Sequence, residues 1–325
     1  MDVPILNAAD LFNRIERCRR PWHEDYLAMY SSVFGGIVTD PVLMVLPMDD
    51  HLVHRADGVF DVFKCVNGRA YCMKPHLERL QRSAAPLGLA MPAEFARIED
   101  IIRAAAKAGG ESDILIRIIV SRGPGGFGTN PYECPASQLY VVVTRLKPPK
   151  PEKYENGVSI ISAPVPVKPQ IFANIKSCDY LGNVLVKKAA IEAGVDYAVN
   201  WDERGFLAEG STENIFLVSP DRKLLIPSYD RVLKGVTLGR VAELARVLVK
   251  EGLLTGVEGA DIDRDLAARC PEVMLSGTTM DILPVTVWDG RPIGDGRPGP
   301  AARRLISLIR ADLTSNDEVL TTLLD

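Results

Sequence analysis

The chain has no uninterrupted apolar run approaching the roughly 20 residues that a membrane-spanning helix needs. Its strongest apolar segment, residues 114–120, carries Arg117 in the middle. No membrane partner is expected. Histidine is scarce: all four lie within the first 76 residues, and none forms an HxxxH pair. A metal site is therefore not expected. The six cysteines (Cys18, Cys65, Cys72, Cys134, Cys178, Cys270) have no CxxC spacing. They fit reduced thiols in a cytoplasmic protein better than a disulfide framework. No basic block is present, and 38 Lys and Arg against 42 Asp and Glu leave a net charge of −4. Nucleic acid is a poor partner for such a chain. The first 18 residues place acidic side chains early around a broken apolar stretch, unlike a secretory signal. What remains is ordinary for a soluble globular protein: 47% hydrophobic and 25% charged over 325 residues. That length predicts two domains.

Residues 1–35 read as a helical extension, with a loose stripe of Leu11, Ile15, Cys18, Tyr26, Met29 and Tyr30 interrupted by Pro21. Residues 36–146 read as a small α/β domain. It has strands at 42–46, 59–65, 69–73, 114–121 and 138–144, and Asn67-Gly68 marks a hairpin. Pro75 opens a helix with apolar positions Leu77, Leu80, Ala84 and Leu87, and a second helix spans 93–108. Residues 147–157, KPPKPEKYENG, read as an interdomain linker without periodicity. Residues 158–325 read as a larger, strand-rich domain. Strands fall at 158–163, 197–201, 205–208, 214–219, 223–226, 272–276 and 285–288. Helices fall at 179–193, 237–250 and 299–313, followed by a polar tail. The fold class is α+β.

Gly123-Pro124-Gly125-Gly126-Phe127-Gly128 matches GxGxxG and follows a strand. A dinucleotide loop also needs a helix opening at its last glycines, whereas two prolines and no helical pattern follow here. It reads as a mobile loop between two strands. Other residues carry more chemistry. Lys176 precedes a helix with apolar positions Leu181, Val184, Leu185 and Ala189. An apolar setting lowers an amine's pKa and frees it as nucleophile and base. Glu209 ends an apolar segment and is followed by small residues. Val236 and Thr237 open a helix, an anion-friendly place, and Ser276-Gly277-Thr278-Thr279 ends a strand with hydroxyls and amides. Arg79 sits on a helix beside its core stripe. Each alone has an ordinary structural reading, such as a snorkelling lysine, a hairpin carboxylate, a helix cap or a solvated arginine. Together they describe a pyridoxal 5'-phosphate site. The amine makes the Schiff base, the carboxylate keeps the pyridine nitrogen protonated, and the arginine, helix end and threonines hold the phosphate.

The segments FANIKSCDYLGNVL, FLAEGSTENIFLV, LKGVTLGR and VMLSGTTMDILPV resemble the class IV (fold type IV) aminotransferases in order and spacing. That family includes D-amino-acid transaminases, branched-chain aminotransferases and aminodeoxychorismate lyases. Resemblance to the plant-type D-amino-acid transaminase branch is strongest, through DDHLVHRADGVFDVFKCVNGRAY and KPQIFANIKSCDYLGNVL. The resemblance implies a small α/β domain, a larger pseudo-barrel domain, pyridoxal 5'-phosphate, amino-acid and 2-oxo-acid substrates, and a homodimer. It implies that Lys176 is the Schiff-base lysine and acid/base, and that Glu209 partners the pyridine nitrogen. Arg79, Val236, Thr237 and Thr278 then hold the phosphate. Tyr180 reaches the cofactor's phenolic oxygen, Thr279 lies by the substrate carboxylate, and Arg122 (or Arg117) binds a substrate carboxylate. Two departures narrow the choice. The central strand reads Leu115-Ile116-Arg117, without the tyrosine of branched-chain enzymes, and Phe127 replaces an arginine common in the lyases.

Overall fold

The computed structural model describes residues 3–324. Its contacts divide the chain into two units. One comprises residues 1–71, 84–146 and 321–325, the other residues 72–83 and 147–320. The segment 72–83, expected in the small domain, makes its contacts within the second unit, and so do residues 147–157.

The first unit is built on a seven-stranded sheet. Its centre pairs Gly58–Val66, Ile114–Ser121 and Gln138–Arg145 antiparallel in continuous register. Asn67 and Gly68 both adopt positive φ, the conformation that a tight two-residue hairpin needs, and lead into Arg69–Tyr71. The helix Ile98–Gly109 buries Ile98, Ile101, Ile102, Ala105 and Ala106 against this sheet and stops at Gly110, φ 73°.

Three expectations for this unit fail for identifiable reasons. Residues 26–31 are the strand Tyr26–Ser31 and not helix; they pair with Gln138–Arg145 and bury Ala28 to Ser31. The helical stripe therefore ends with Ala8–Ile15 and two 3₁₀ turns. Residues 42–46 are not a strand. Pro41–Leu43 form a 3₁₀ turn because the Asp40 carboxylate accepts the Val42 N–H and Pro41 fixes its own φ. The polar tail supplies Leu320–Thr322, an edge strand of the first sheet.

The second unit is a nine-stranded sheet in which six strands close on themselves. Around the ring run Asn214–Val218, Glu272–Gly277, Asp281–Trp288, Val158–Ser162, Tyr197–Trp201 and Leu207–Gly210. The seam is a single register pair, Glu209 with Asn214. Val158, Ile160, Val199, Leu207, Ile215, Leu217, Val273, Leu275, Leu283 and Val285 belong to one continuous buried cluster. Closure removes sheet edges and encloses this core.

Outside the ring, Val236–Lys250 packs on Pro300–Ser315, and a bidentate Arg240–Asp312 pair at 2.6–2.8 Å joins them. The N-terminus of Pro300–Ser315 has no side-chain cap of its own, and the buried Glu272 carboxylate accepts the N–H groups of Ala301 and Ala302 instead. The segment read as a structureless linker contains a short helix, Pro151–Asn156, opened by its proline.

Candidate active site

Lys176 follows the short helix Gln170–Ala173. Its backbone N–H donates to Ser83 Oγ at 3.1 Å, tying this stretch to the helix Met73–Ala84. Lys176 is buried to 9% exposure. Its Nζ donates to the Tyr180 hydroxyl at 2.9 Å and lies 5.5 Å from that ring's centroid. Tyr180 is the N-cap residue of Leu181–Glu192, one helical turn beyond the lysine. The apolar face expected to bury Lys176 points the other way. Leu181, Val184 and Leu185 are exposed, and the helix buries Val186 and Ala190 instead. The neighbouring Ile175, itself buried, and the Ser83 contact enclose the lysine.

Glu209 stands on the seam strand, and register pairs it with Asn214 and Asn214 with Ser276. A single turn, residues 233–235, ties this row to the anion-binding elements. Leu233 N–H donates to Glu209 Oε2 at 3.1 Å, and Asn214 Nδ2 donates to the Leu233 carbonyl at 2.9 Å. Arg79, buried on Met73–Ala84, donates through Nη1 to the Lys234 carbonyl at 3.3 Å. Gly235 cannot be replaced without movement, because a Cβ there would lie 1.9 Å from Asn214 Oδ1. Val236 and the buried Thr237 then open a 15-residue helix whose N-cap, Gly235, offers no side-chain bond. The first-turn N–H groups are left for an anion. Thr278 and Thr279, partly buried, lie in the turn between Glu272–Gly277 and Asp281–Trp288.

Burial pushes the Glu209 carboxyl above the usual carboxylate range, against the opposing pull of Lys168, the Leu233 N–H and Lys176. A desolvated carboxylate in that state calls for a cationic N–H partner. Ser276 Oγ, on the same row, is buried without a hydrogen-bond partner among the described residues. Ser276 thus offers an unsatisfied hydroxyl beside a carboxylate that already accepts the Leu233 N–H. The arrangement combines an amine, a desolvated carboxylate and an anion cradle within one unit.

Arg122 stands in the first unit. Its guanidinium is committed to Asp57 (2.9 and 3.0 Å) and to the carbonyls of Leu87 and Gly88, each at 3.0 Å. A substrate carboxylate bound by Arg122 would compete with these bonds. Arg117 is exposed on its strand, 5.7 Å from the Phe60 ring centroid. The glycine loop opens no helix and is tethered rather than loose. His51 Nε2 lies 2.9 Å from the Gly126 carbonyl, and Arg55 donates to the carbonyls of Phe127 and Gly128. Reading the sequence missed Ser83, Asn214 and Lys168, whose Nζ lies 4.9 Å from the Tyr180 ring centroid; Ser276 was already within the hydroxyl-rich stretch 276–279. Ser83 had no local signal, since its partner is 93 residues away. Asn214 had one: an amide directly after the small-residue turn that follows Glu209.

The family model for amino-transferase class IV matches residues 58–288. The chain is 38% identical over 97% of its length to the chloroplastic D-amino-acid transaminase of Arabidopsis thaliana, covering 83% of that protein. It is 32% identical over 79% of its length to a putative branched-chain-amino-acid aminotransferase of Methanocaldococcus jannaschii, covering 87% of it. Its fold matches a T.th. branched-chain amino acid aminotransferase, solved with pyridoxamine 5'-phosphate, at TM-score 0.84 and 24% identity, over 92% of this chain and 99% of that one. With the family model spanning most of the chain, the protein belongs to the class IV aminotransferases, enzymes that work with pyridoxal 5'-phosphate.

Proposed function

We propose that the protein transfers an amino group from a D-amino acid to a 2-oxo acid, with Lys176 as its acid/base. The observation that carries this reading is the turn 233–235, which ties Glu209, Arg79 and the open helix end together, with Lys176 near enough to act electrostatically on Glu209. The residues present fit the cofactor by their donor chemistry: a buried amine for its aldehyde, a desolvated carboxylate for its ring nitrogen, and a guanidinium and helix N-terminus for its phosphate. The unpaired Ser276 hydroxyl supports the same fit.

Bound pyridoxal phosphate supplies an electron sink that makes the substrate Cα–H acidic. The chain's own residues do the rest. Lys176 Nζ accepts the α-proton and delivers it to the carbon that must be reprotonated. The Tyr180 hydroxyl, hydrogen-bonded to Nζ, orients the amine. Glu209 would supply the negative charge that stabilises a protonated ring nitrogen, and Leu233 N–H holds that carboxylate in place. Arg79, Val236, Thr237 and Thr278 anchor the phosphate end, and Thr279 lies toward the substrate carboxylate. D-amino acids are preferred in this reading because the 38%-identical relative is named for them.

Two further parts of the reading concern the molecule's setting. The first is a cytoplasmic location, supported by six scattered cysteines without CxxC spacing. The second is a homodimer, supported by the exposed apolar row Leu181, Val184, Leu185 and Ile191 on one helix face. Among the described residues no helix is long and apolar enough to cross a membrane.

The decisive assay offers D- and L-amino acids with 2-oxoglutarate or pyruvate as acceptor. D-donors should exceed their L-enantiomers by at least about tenfold in kcat/KM. Faster L-branched donors, or product release without any oxo-acid acceptor, would replace this reading by a branched-chain transaminase or a lyase. Lys176→Ala should abolish both turnover and the visible absorption of the lysine-bound cofactor.

A further inference from the structure

A cavity of about 410 Å³ in the second unit shares no lining residue with the Lys176 centre. Two of the chain's three tryptophans line it. Trp201 and Trp288 stack with ring centroids 5.8 Å apart and planes 24° apart. Both indole N–H groups donate to one atom, Ser162 Oγ, at 3.1 and 3.2 Å. Ser162 Oγ in turn donates to Asp289 Oδ2 at 2.8 Å, and Ser162 N–H donates to Asp289 Oδ1 at 2.7 Å. Both indoles are thus locked by their polar edge, with that edge's hydrogen bonding complete.

Each tryptophan has its own arginine. Arg264 Cζ lies 4.3 Å from the Trp201 ring centroid. Arg291 is the register partner of Trp288 across the Asp289-Gly290 hairpin, so the two side chains leave the same face. Asp289 holds a positive φ of 47° there, and its two bonds to Ser162 turn its carboxylate toward the serine. Neither Arg264 nor Arg291 has a carboxylate partner among the described residues, and both are exposed. The cavity therefore combines a rigid aromatic wall with two arginines that make no ion pair among the described residues, and its one lining carboxylate, Asp289, is engaged by Ser162. Its volume falls within the roughly 300–1,000 Å³ of small-molecule sites. Arginine over an indole also presents a flat, weakly hydrated donor surface on which a second ring can lie.

We infer that this cavity is a second binding site, outside the reaction centre, for a planar aromatic carboxylate. The ring lies against the Trp201–Trp288 wall and the carboxylate is held by Arg264 and Arg291.

The test is calorimetric titration of the holoenzyme with 2-naphthoate, with neutral 2-naphthamide and saturated cyclohexanecarboxylate as comparison probes. The double variant Arg264→Gln/Arg291→Gln keeps the side-chain stems, and its kcat/KM should equal that of the wild type, which also reports that it folds. Saturable 2-naphthoate binding is expected, weakened at least about tenfold in the double variant and for both comparison probes. Three results would overturn the site. They are no saturable binding up to about 5 mM, equal affinity in the double variant (binding elsewhere, the reaction centre included), and equal affinity for cyclohexanecarboxylate.

Discussion

At the residue scale, Glu209 carries the sharpest electrostatic consequence. Desolvation raises its pKa in the cofactor-free protein. A raised pKa means that the folded chain binds this proton more tightly than the unfolded chain does. Stability from the group is complete below the ordinary carboxylate value and is lost as pH rises through the raised one. Cofactor-free Glu209→Gln should therefore gain on the wild type as pH climbs across that window, in urea unfolding measured at several pH values. A pH-independent difference would mean that the carboxyl is solvated after all. In the holoenzyme the same variant should lose about a hundredfold in kcat, because Gln holds no charge opposite the ring nitrogen. Lys176, Glu209 and Arg79 could be singled out as candidates in the sequence because they recur together with two anion-friendly turns in motifs that resemble the family's. Arg122 looked equally eligible. Its Asp57 partner stands 65 residues earlier, and nothing local announced the pair.

At the element scale, the turn before Val236–Lys250 should decide whether the proposed anion cradle forms. Gly235→Ala would drive a Cβ into Asn214 Oδ1 and disturb the turn that holds Glu209 and Arg79. Cofactor affinity should fall at least about tenfold, read by equilibrium dialysis of pyridoxal phosphate, while the variant still folds cooperatively. Unchanged affinity would show that the turn tolerates the strain and is not what shapes the cradle. Elements with a strong period were legible. Strand Ile114–Ser121 and helix Ile98–Gly109 bury the apolar positions that their patterns imply. Helix Leu181–Glu192 was also legible as a helix, but its buried side was not. An apolar stripe states that something covers it, without naming the cover.

At the scale of the whole molecule, that uncovered stripe becomes a prediction. Leu181, Val184, Leu185 and Ile191 recur at helical spacing and are all exposed. Sedimentation equilibrium should give twice the 35.5 kDa chain mass, and Val184→Asp/Leu185→Asp should shift it toward the monomer. A wild-type monomer at micromolar concentration would remove the dimer from this account.

The sequence by itself determined the fold class and the family, and it singled out the candidate reactive residues. Periodicity is local, and the motifs that carry the chemistry are contiguous. Only the tertiary structure decided which of those residues meet. Glu209 becomes a site residue through the barrel seam with Asn214 and through Leu233, 24 positions away. Arg79 reaches the same turn across 155 residues. In the first unit, folding committed Arg122 to Asp57 and two carbonyls. In the second, closing a sheet into a ring fixed distances between segments that no local pattern relates, and it left the paired tryptophans facing a cavity.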